Sequence, residues 1–138
     1  MSRSRITVLV IEDHPESTAL LHAVLEPSGI RVIEARSMEE AQTVLAVERP
    51  DVILCDLMLP GEDGLAFIRW LRARPAEEDR RIPSVAITAF YERFSVREVR
   101  DAGFDVFLQK PLDPDQIPYI VGRLVAQRAS GGRLPGAC

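Results

Sequence analysis

Glu12, Asp13, Asp56, Thr88 and Lys110 are the residues of this chain whose types and placement could do chemistry together. Each stands where an apolar run stops. Glu12-Asp13 follows Ile6-Thr7-Val8-Leu9-Val10-Ile11, and Asp56 follows Val52-Ile53-Leu54-Cys55. Thr88 stands near the end of residues 83–89, and Lys110 follows residues 104–109. Runs rich in β-branched residues read as strands buried on both faces of a parallel sheet. In such a sheet all the C-terminal strand ends share one edge, and ligands bind in the crevice outside it. Three carboxylates gathered there raise one another's pKa unless a cation joins them. A small set of hard oxygen donors suits Mg²⁺, which keeps several waters and binds through one or two carboxylates plus phosphate oxygens. A threonine hydroxyl can donate to a phosphoryl oxygen, and an ammonium can neutralise another. A carboxylate nucleophile, a divalent metal, a hydroxyl and an ammonium are the parts that stabilise phosphoryl transfer to Asp56.

Taken singly, each residue has a plainer role. Asp56 can cap the loop that Pro60-Gly61 turns, Asp13 can cap a helix, Thr88 is a strand former, and Lys110 can be a surface residue before a proline. Five of them at one sheet edge favour a single phosphate site over five separate roles. Lys110 is also the only lysine among 17 Lys and Arg residues. A flexible point-charge ammonium has been kept at one place in a chain that otherwise uses the planar guanidinium.

The elements that must position these groups alternate along the chain. Ile6–Ile11 is a first strand. Pro15 opens a helix striped by Leu20, Leu21, Val24 and Leu25 and closed at Gly29. Residues 30–34 form a short strand of mixed polarity, which places it near an edge. Ser37 and Glu40 make a capping box for a second helix, which carries Ala41, Val44 and Leu45 inward and stops at Pro50. After the strand ending at Asp56, a third helix carries Leu65, Ile68 and Leu71, with Phe67 or Trp70 alongside, to about Arg74, and the charged residues 75–81 read as a solvated connection. Residues 83–89 form strand four, 92–102 a weakly amphipathic helix closed by Gly103, and 104–109 strand five. Asp113-Pro114 opens a last helix, but Pro118 lacks the donor that helix would want there. Either the helix starts late, with Gln116 or Ile117 near its cap, or its first turn is irregular.

Strand–helix alternation implies a parallel sheet covered on both faces and joined by right-handed crossovers. The expected fold is a five-stranded, doubly wound α/β domain, a flavodoxin-like three-layer sandwich. One domain is expected over 6–127, with a short lead over 1–5 and a flexible tail over 128–138. A net charge of −4 argues against a nucleic-acid surface. No apolar run approaches the roughly 20 residues that cross a bilayer, and no signal-peptide core follows Met1. Cys55 and Cys138 are not placed to bridge, so a cytoplasmic protein with reduced thiols is expected.

The chain resembles the receiver domain of two-component response regulators. The resemblance is carried by Val8–Asp13, Asp56-Leu57-Met58-Leu59-Pro60-Gly61-Glu62-Asp63-Gly64, Ile87-Thr88-Ala89 and Phe107-Leu108-Gln109-Lys110-Pro111, over about residues 5–126. It implies that Asp56 accepts phosphate from a phosphohistidine. Glu12, Asp13, Asp56 and the Met58 backbone carbonyl would hold Mg²⁺, Lys110 would contact the phosphoryl group, and the Lys110-Pro111 bond would be cis. Thr88 and Phe107 would form the switch, although Phe107 in strand five can equally be plain core. The implied partners are a sensor histidine kinase or a histidine phosphotransfer protein, a downstream protein, and a second copy through the helix 4–strand 5–helix 5 face. The same resemblance implies a signalling domain rather than an enzyme. A Mg²⁺-dependent aspartyl phosphatase would need a second acid two residues after Asp56, where Met58 cannot transfer a proton. A nucleotide or flavin binder would want a Gly-rich loop where His14-Pro15-Glu16-Ser17 stands. A phosphorylation-independent adaptor would not need the complete set of site residues.

Overall fold

The computed structural model describes residues 5–129. Five parallel strands form the central sheet: β1 (Thr7–Ile11), β2 (Arg31–Ala35), β3 (Val52–Asp56), β4 (Ser84–Thr88) and β5 (Val106–Gln109). Their spatial order is β2-β1-β3-β4-β5, which puts the polar-faced β2 at an edge. β3 and β4 are buried at every residue, as a parallel sheet covered on both faces requires. The register aligns Ile11 with Cys55, Cys55 with Ala86, and Ala86 with Phe107. Glu12, Asp56, Thr88 and Lys110 therefore leave the sheet along one edge.

Helices cover both faces. α1 (Pro15–Leu25) and α5 (Gln116–Ala129) pack Leu21, Leu25, Ile117, Val121 and Leu124 on Val8, Val10, Leu54 and Val85. α2 (Met38–Val47), α3 (Gly64–Arg72) and α4 (Val96–Ala102) pack Leu45, Phe67, Ile68, Leu71 and Val99 on Leu9, Ile11, Ile53 and Ala86. The result is the three-layer, doubly wound architecture expected from the alternation. Ser37 caps α2 by accepting from the Glu40 backbone N–H at 3.1 Å. Glu40 returns the contact to the Arg36 N–H at 2.8 Å rather than to Ser37.

Several boundaries differ from the sequence reading. The expected helix over 92–102 is a 3₁₀ turn, Tyr91–Arg93, followed by α4. Ser95 and Glu98 form a reciprocal capping box that sets the later start. The fifth strand begins at Val106, because Phe104 is spent on the core and its N–H bonds to the Val99 carbonyl. The last helix starts late, at Gln116, so Pro118 falls in its first turn, where no intrahelical donor is needed. It continues to Ala129, so residues 128 and 129 are helical, while 130–138 of the expected tail lie outside the described residues. The connection after α3 is not simply solvated. It holds a helical turn, Glu77–Arg80, whose Asp79 is buried. Arg49 and Arg74 reach Asp79 at 3.3 and 3.1 Å and compensate that burial.

Candidate functional site

The sheet edge brings four of the predicted residues into one cluster. Glu12 and Asp56 are buried, and Asp13 and Lys110 are half-buried. Lys110 Nζ donates to Glu12 Oε1 at 2.8 Å, Asp56 Oδ2 at 3.1 Å and the Ser17 hydroxyl at 3.2 Å. An ammonium has three N–H donors, and all three are used. A guanidinium could not make this compact tripod. The Lys110-Pro111 bond is cis, as the resemblance implies. Asp56 Oδ1 accepts from the Met58 backbone N–H at 2.8 Å, which brings the Met58 peptide against the carboxylate.

The turn that follows Asp56 is tightly made. Met58–Leu59 pairs antiparallel with Glu62–Asp63 across Pro60-Gly61, and Gly61 has φ +75°. Proline followed by a positive-φ glycine is the signature of a type II turn. Asp63 then caps α3, accepting from the Ala66 N–H at 2.9 Å. The next residue has to be small. A Cβ on Gly64 would stand 2.9 Å from the Asp56 carbonyl oxygen and 3.0 Å from Leu57 Cα. α3 therefore packs directly on the backbone that carries Asp56.

Thr88 is fully buried at the end of β4, and its hydroxyl accepts from the Phe90 N–H at 2.9 Å instead of bonding to Asp56. Phe107 lies half-buried against the core, under the ring of Tyr91. Both predicted switch residues are thus present, but neither touches the carboxylates in this state.

The electrostatics follow from the packing. Burial, with the neighbouring charge of Glu12, pushes the Asp56 carboxyl up to about 6, against the pull of the Met58 N–H and Lys110. Burial also opposes ionisation of Glu12, but hydrogen bonds, with that from Lys110 foremost, outweigh it and hold Glu12 below its ordinary value. Lys110 would be lowered by burial, yet its bond to Glu12 and the charge of Asp56 hold it raised. The cluster therefore carries its negative charge on Glu12 and restrains it on Asp56.

One ligand atom from each of Glu12, Asp13, His14 and Asp56 lies within 4.8 Å of the others. Asp13 Oδ1 is closed off from solvent and accepts no hydrogen bond among the described residues. A buried acceptor without a donor, among hard oxygen ligands, fits a small divalent cation.

His14, Ser17 and Gly64 have no site role in the sequence reading. His14 adjoins the acid pair, a signal that was available. Ser17 stands one helical turn beyond His14, but nothing in the sequence points it at Lys110. Gly64 reports a close approach that exists only once α3 is packed.

The family model of the response regulator receiver domain matches residues 8–121. The chain belongs to that family. Among curated relatives, this receiver is 34% identical over 106 residues to the polar-differentiation response regulator DivK of Brucella ovis, covering 77% of this chain and 85% of that one. Among solved structures it resembles a putative response regulator from Chloroflexus aurantiacus, with TM-score 0.80, 28% identity, and coverage of 89% of this chain and 99% of that one. It also resembles the receiver domain of a sensor histidine kinase from Pseudomonas aeruginosa, whose structure has a magnesium ion coordinated in the active-site cleft. There the TM-score is 0.79, the identity 29%, and the coverage 89% of this chain and 99% of that one. The receiver's place in two-component signalling, and its fold, thus follow from both sequence and structure. Among the described residues, no helix is long and apolar enough to cross a membrane.

Proposed function

We propose that Asp56 is the phospho-acceptor of this receiver and that a phosphohistidine on a kinase or phosphotransfer protein is its donor. One observation carries this reading: a buried carboxylate whose two oxygens are held by the Met58 N–H and by the only lysine, beside Glu12 and an Asp13 oxygen that accepts no hydrogen bond among the described residues. In the transfer an Asp56 oxygen attacks phosphorus, the phosphorus–nitrogen bond breaks, and its electron pair leaves on the imidazole. The products are an aspartyl phosphate and a free histidine.

Mg²⁺, held by Glu12, Asp13, Asp56 and the Met58 carbonyl, would neutralise charge on the transferring phosphoryl oxygens. The neighbour with magnesium in its cleft supports this assignment. Lys110 is already positioned to follow a phosphoryl oxygen away from the Asp56 carboxylate. Thr88 can exchange its contact with Phe90 for one with the new charge, and Phe107 then repacks. The readout is a protein contact with a downstream target, from a chain that signals rather than turns over substrate. The acidic balance speaks against direct nucleic-acid binding, and reduced thiols fit a cytoplasmic setting.

Exposure to acetyl phosphate with Mg²⁺ tests the reading by intact mass. Wild type gains one phosphoryl mass and Asp56→Asn gains none. If both or neither gain it, the assignment is wrong. Multiple-turnover phosphate release from phosphomonoesters would favour the phosphatase instead.

A further inference from the structure

We propose that His14, through Nδ1, is a fourth side-chain donor to the divalent-cation pocket, beside the three carboxylates and the Met58 carbonyl, and that the pocket therefore accepts first-row transition dications with an affinity for imidazole as well as Mg²⁺. This rests on the reading of Glu12, Asp13 and Asp56 as metal-holding carboxylates and extends it to a residue that reading leaves out.

The ring is exposed, but its Nδ1 faces the acid pair. Nδ1 lies 3.1 Å from Glu12 Oε2 and 3.4 Å from Asp13 Oδ1. An ion with bonds of about 2.1 Å in octahedral geometry places adjacent donors about 3 Å apart and opposite donors about 4.2 Å apart. The two short separations match adjacent corners of such a sphere. The four side chains Glu12, Asp13, His14 and Asp56 are gathered within 4.8 Å, so their widest separation has to close by only about 0.6 Å to reach the span of such a sphere.

The backbone supports the ring's position. His14 precedes Pro15 and is extended, with φ −90° and ψ 117°, the region to which a following proline confines it. Its backbone N–H also donates to Glu12 Oε2 at 3.2 Å. The ring thus hangs from a restricted hinge over the acid pair.

Donor chemistry sets the class of ion. Three carboxylates alone suit Mg²⁺, Ca²⁺ or Mn²⁺, whereas adding imidazole favours ions further along the first transition row. The simpler account is that His14 merely hydrogen-bonds Glu12. It leaves the solvent-closed Asp13 Oδ1 with no hydrogen bond among the described residues and only the 3.4 Å approach of the same ring nitrogen, and a cation joined to both residues would satisfy it.

Calorimetric titration of the full chain with Mg²⁺ and with Co²⁺ separates these accounts, using wild type, His14→Ala and His14→Gln. The glutamine variant keeps a hydrogen-bond donor but has no imidazole. Wild type should bind Co²⁺ more tightly than Mg²⁺, and excess Mg²⁺ should displace the Co²⁺. Both variants should lose at least roughly tenfold of the Co²⁺-to-Mg²⁺ affinity ratio, with a shift in the visible Co²⁺ absorption. A ratio unchanged in either variant, or Co²⁺ that Mg²⁺ cannot displace, overturns this inference while leaving the Mg²⁺ site intact. A wild type that binds neither ion overturns the carboxylate reading and this inference with it.

Discussion

Tyr91 stacks on Phe107, with ring centroids 4.5 Å apart and planes 18° apart. Phe107 belongs to β5, whereas Tyr91 opens the 3₁₀ turn just past β4. The neighbouring Phe90 N–H is held by the Thr88 hydroxyl. Drawing that hydroxyl toward a phosphoryl group on Asp56 would release Phe90 and loosen the turn that keeps Tyr91 on Phe107. On the proposed switch, Tyr91 would be a moving part of the relay between Thr88 and Phe107. A double-mutant cycle with Tyr91→Ala and Phe107→Ala, read by urea unfolding, should give a coupling of about 0.5–1.5 kcal/mol. Both single variants should keep the phosphoryl mass gain while changing partner binding. Loss of labelling in Phe107→Ala would make that ring structural instead.

The Asp56 carboxyl, raised from 3.8 to about 6 by burial and by Glu12, implies a definite pH dependence. Between those values the folded chain holds a proton that the unfolded chain has released, so this group's contribution to stability falls as pH rises. The proposed function runs the other way, because a protonated Asp56 would neither attack phosphorus nor ligate a cation as a carboxylate does. In the absence of metal, carbon-13 NMR of the Asp56 carboxyl should show a midpoint near the raised value, and Glu12→Gln should lower it. Mg²⁺ affinity should climb from about pH 5 to about pH 7 as that proton leaves. A midpoint at the ordinary aspartate value would contradict the electrostatic picture.

What could be read in advance was whatever the chain announces locally. Four of the five strands, all but the mixed-polarity β2, are mainly apolar runs that give way to a polar residue at the C-terminal end, so the edge holding Glu12, Asp56, Thr88 and Lys110 follows from topology. The Ser95–Glu98 pattern was equally local, but placing the helix start at Glu92 hid it. Asp79 was out of reach, because a run such as Ala76-Glu77-Glu78-Asp79-Arg80 looks solvated until Arg49 and Arg74 converge from other elements. The turn of His14 over the acids, and the bond from Lys110 to Ser17, depend on side-chain direction, which spacing alone does not settle.

Gly64 is one such hidden constraint, and it can be tested against a glycine that has room. In Gly64→Ala the new Cβ meets backbone atoms of Asp56 and Leu57, which cannot yield as a side-chain tip can. The cost should be about 1–3 kcal/mol, and acetyl phosphate labelling should slow because the displaced backbone carries Asp56. Gly122, inside α5, has nothing within 4 Å of a Cβ. Gly122→Ala should stabilise by roughly 0.8–1.0 kcal/mol through helix propensity and leave labelling unchanged. Urea midpoints and labelling rates of the two variants decide the matter. Equal behaviour would remove the claim that α3 is wedged against the site.

His22 provides a stability switch remote from the phosphate chemistry. Its Nδ1 lies 2.7 Å from Glu26 Oε2, and its Nε2 contacts Glu34 on β2. Carboxylates only accept, and a neutral imidazole has one N–H, so both contacts are hydrogen bonds only when the ring is protonated. The bond to Glu26, reinforced by Glu34, holds the His22 pKa above 6.5 against desolvation. A raised folded-state value means that the contribution is complete below 6.5 and is lost as pH rises through the folded value. The site is shallow, and its side chain is 29% exposed, so each contact contributes about 0.2–1 kcal/mol after solvent screening. Urea unfolding of wild type and His22→Gln should differ by about 1 kcal/mol near pH 6 and converge near pH 9, with high salt shrinking the difference at the lower pH. A gap of the same size at both pH values would mean that His22 acts through packing, not through the charge that clasps α1 to β2.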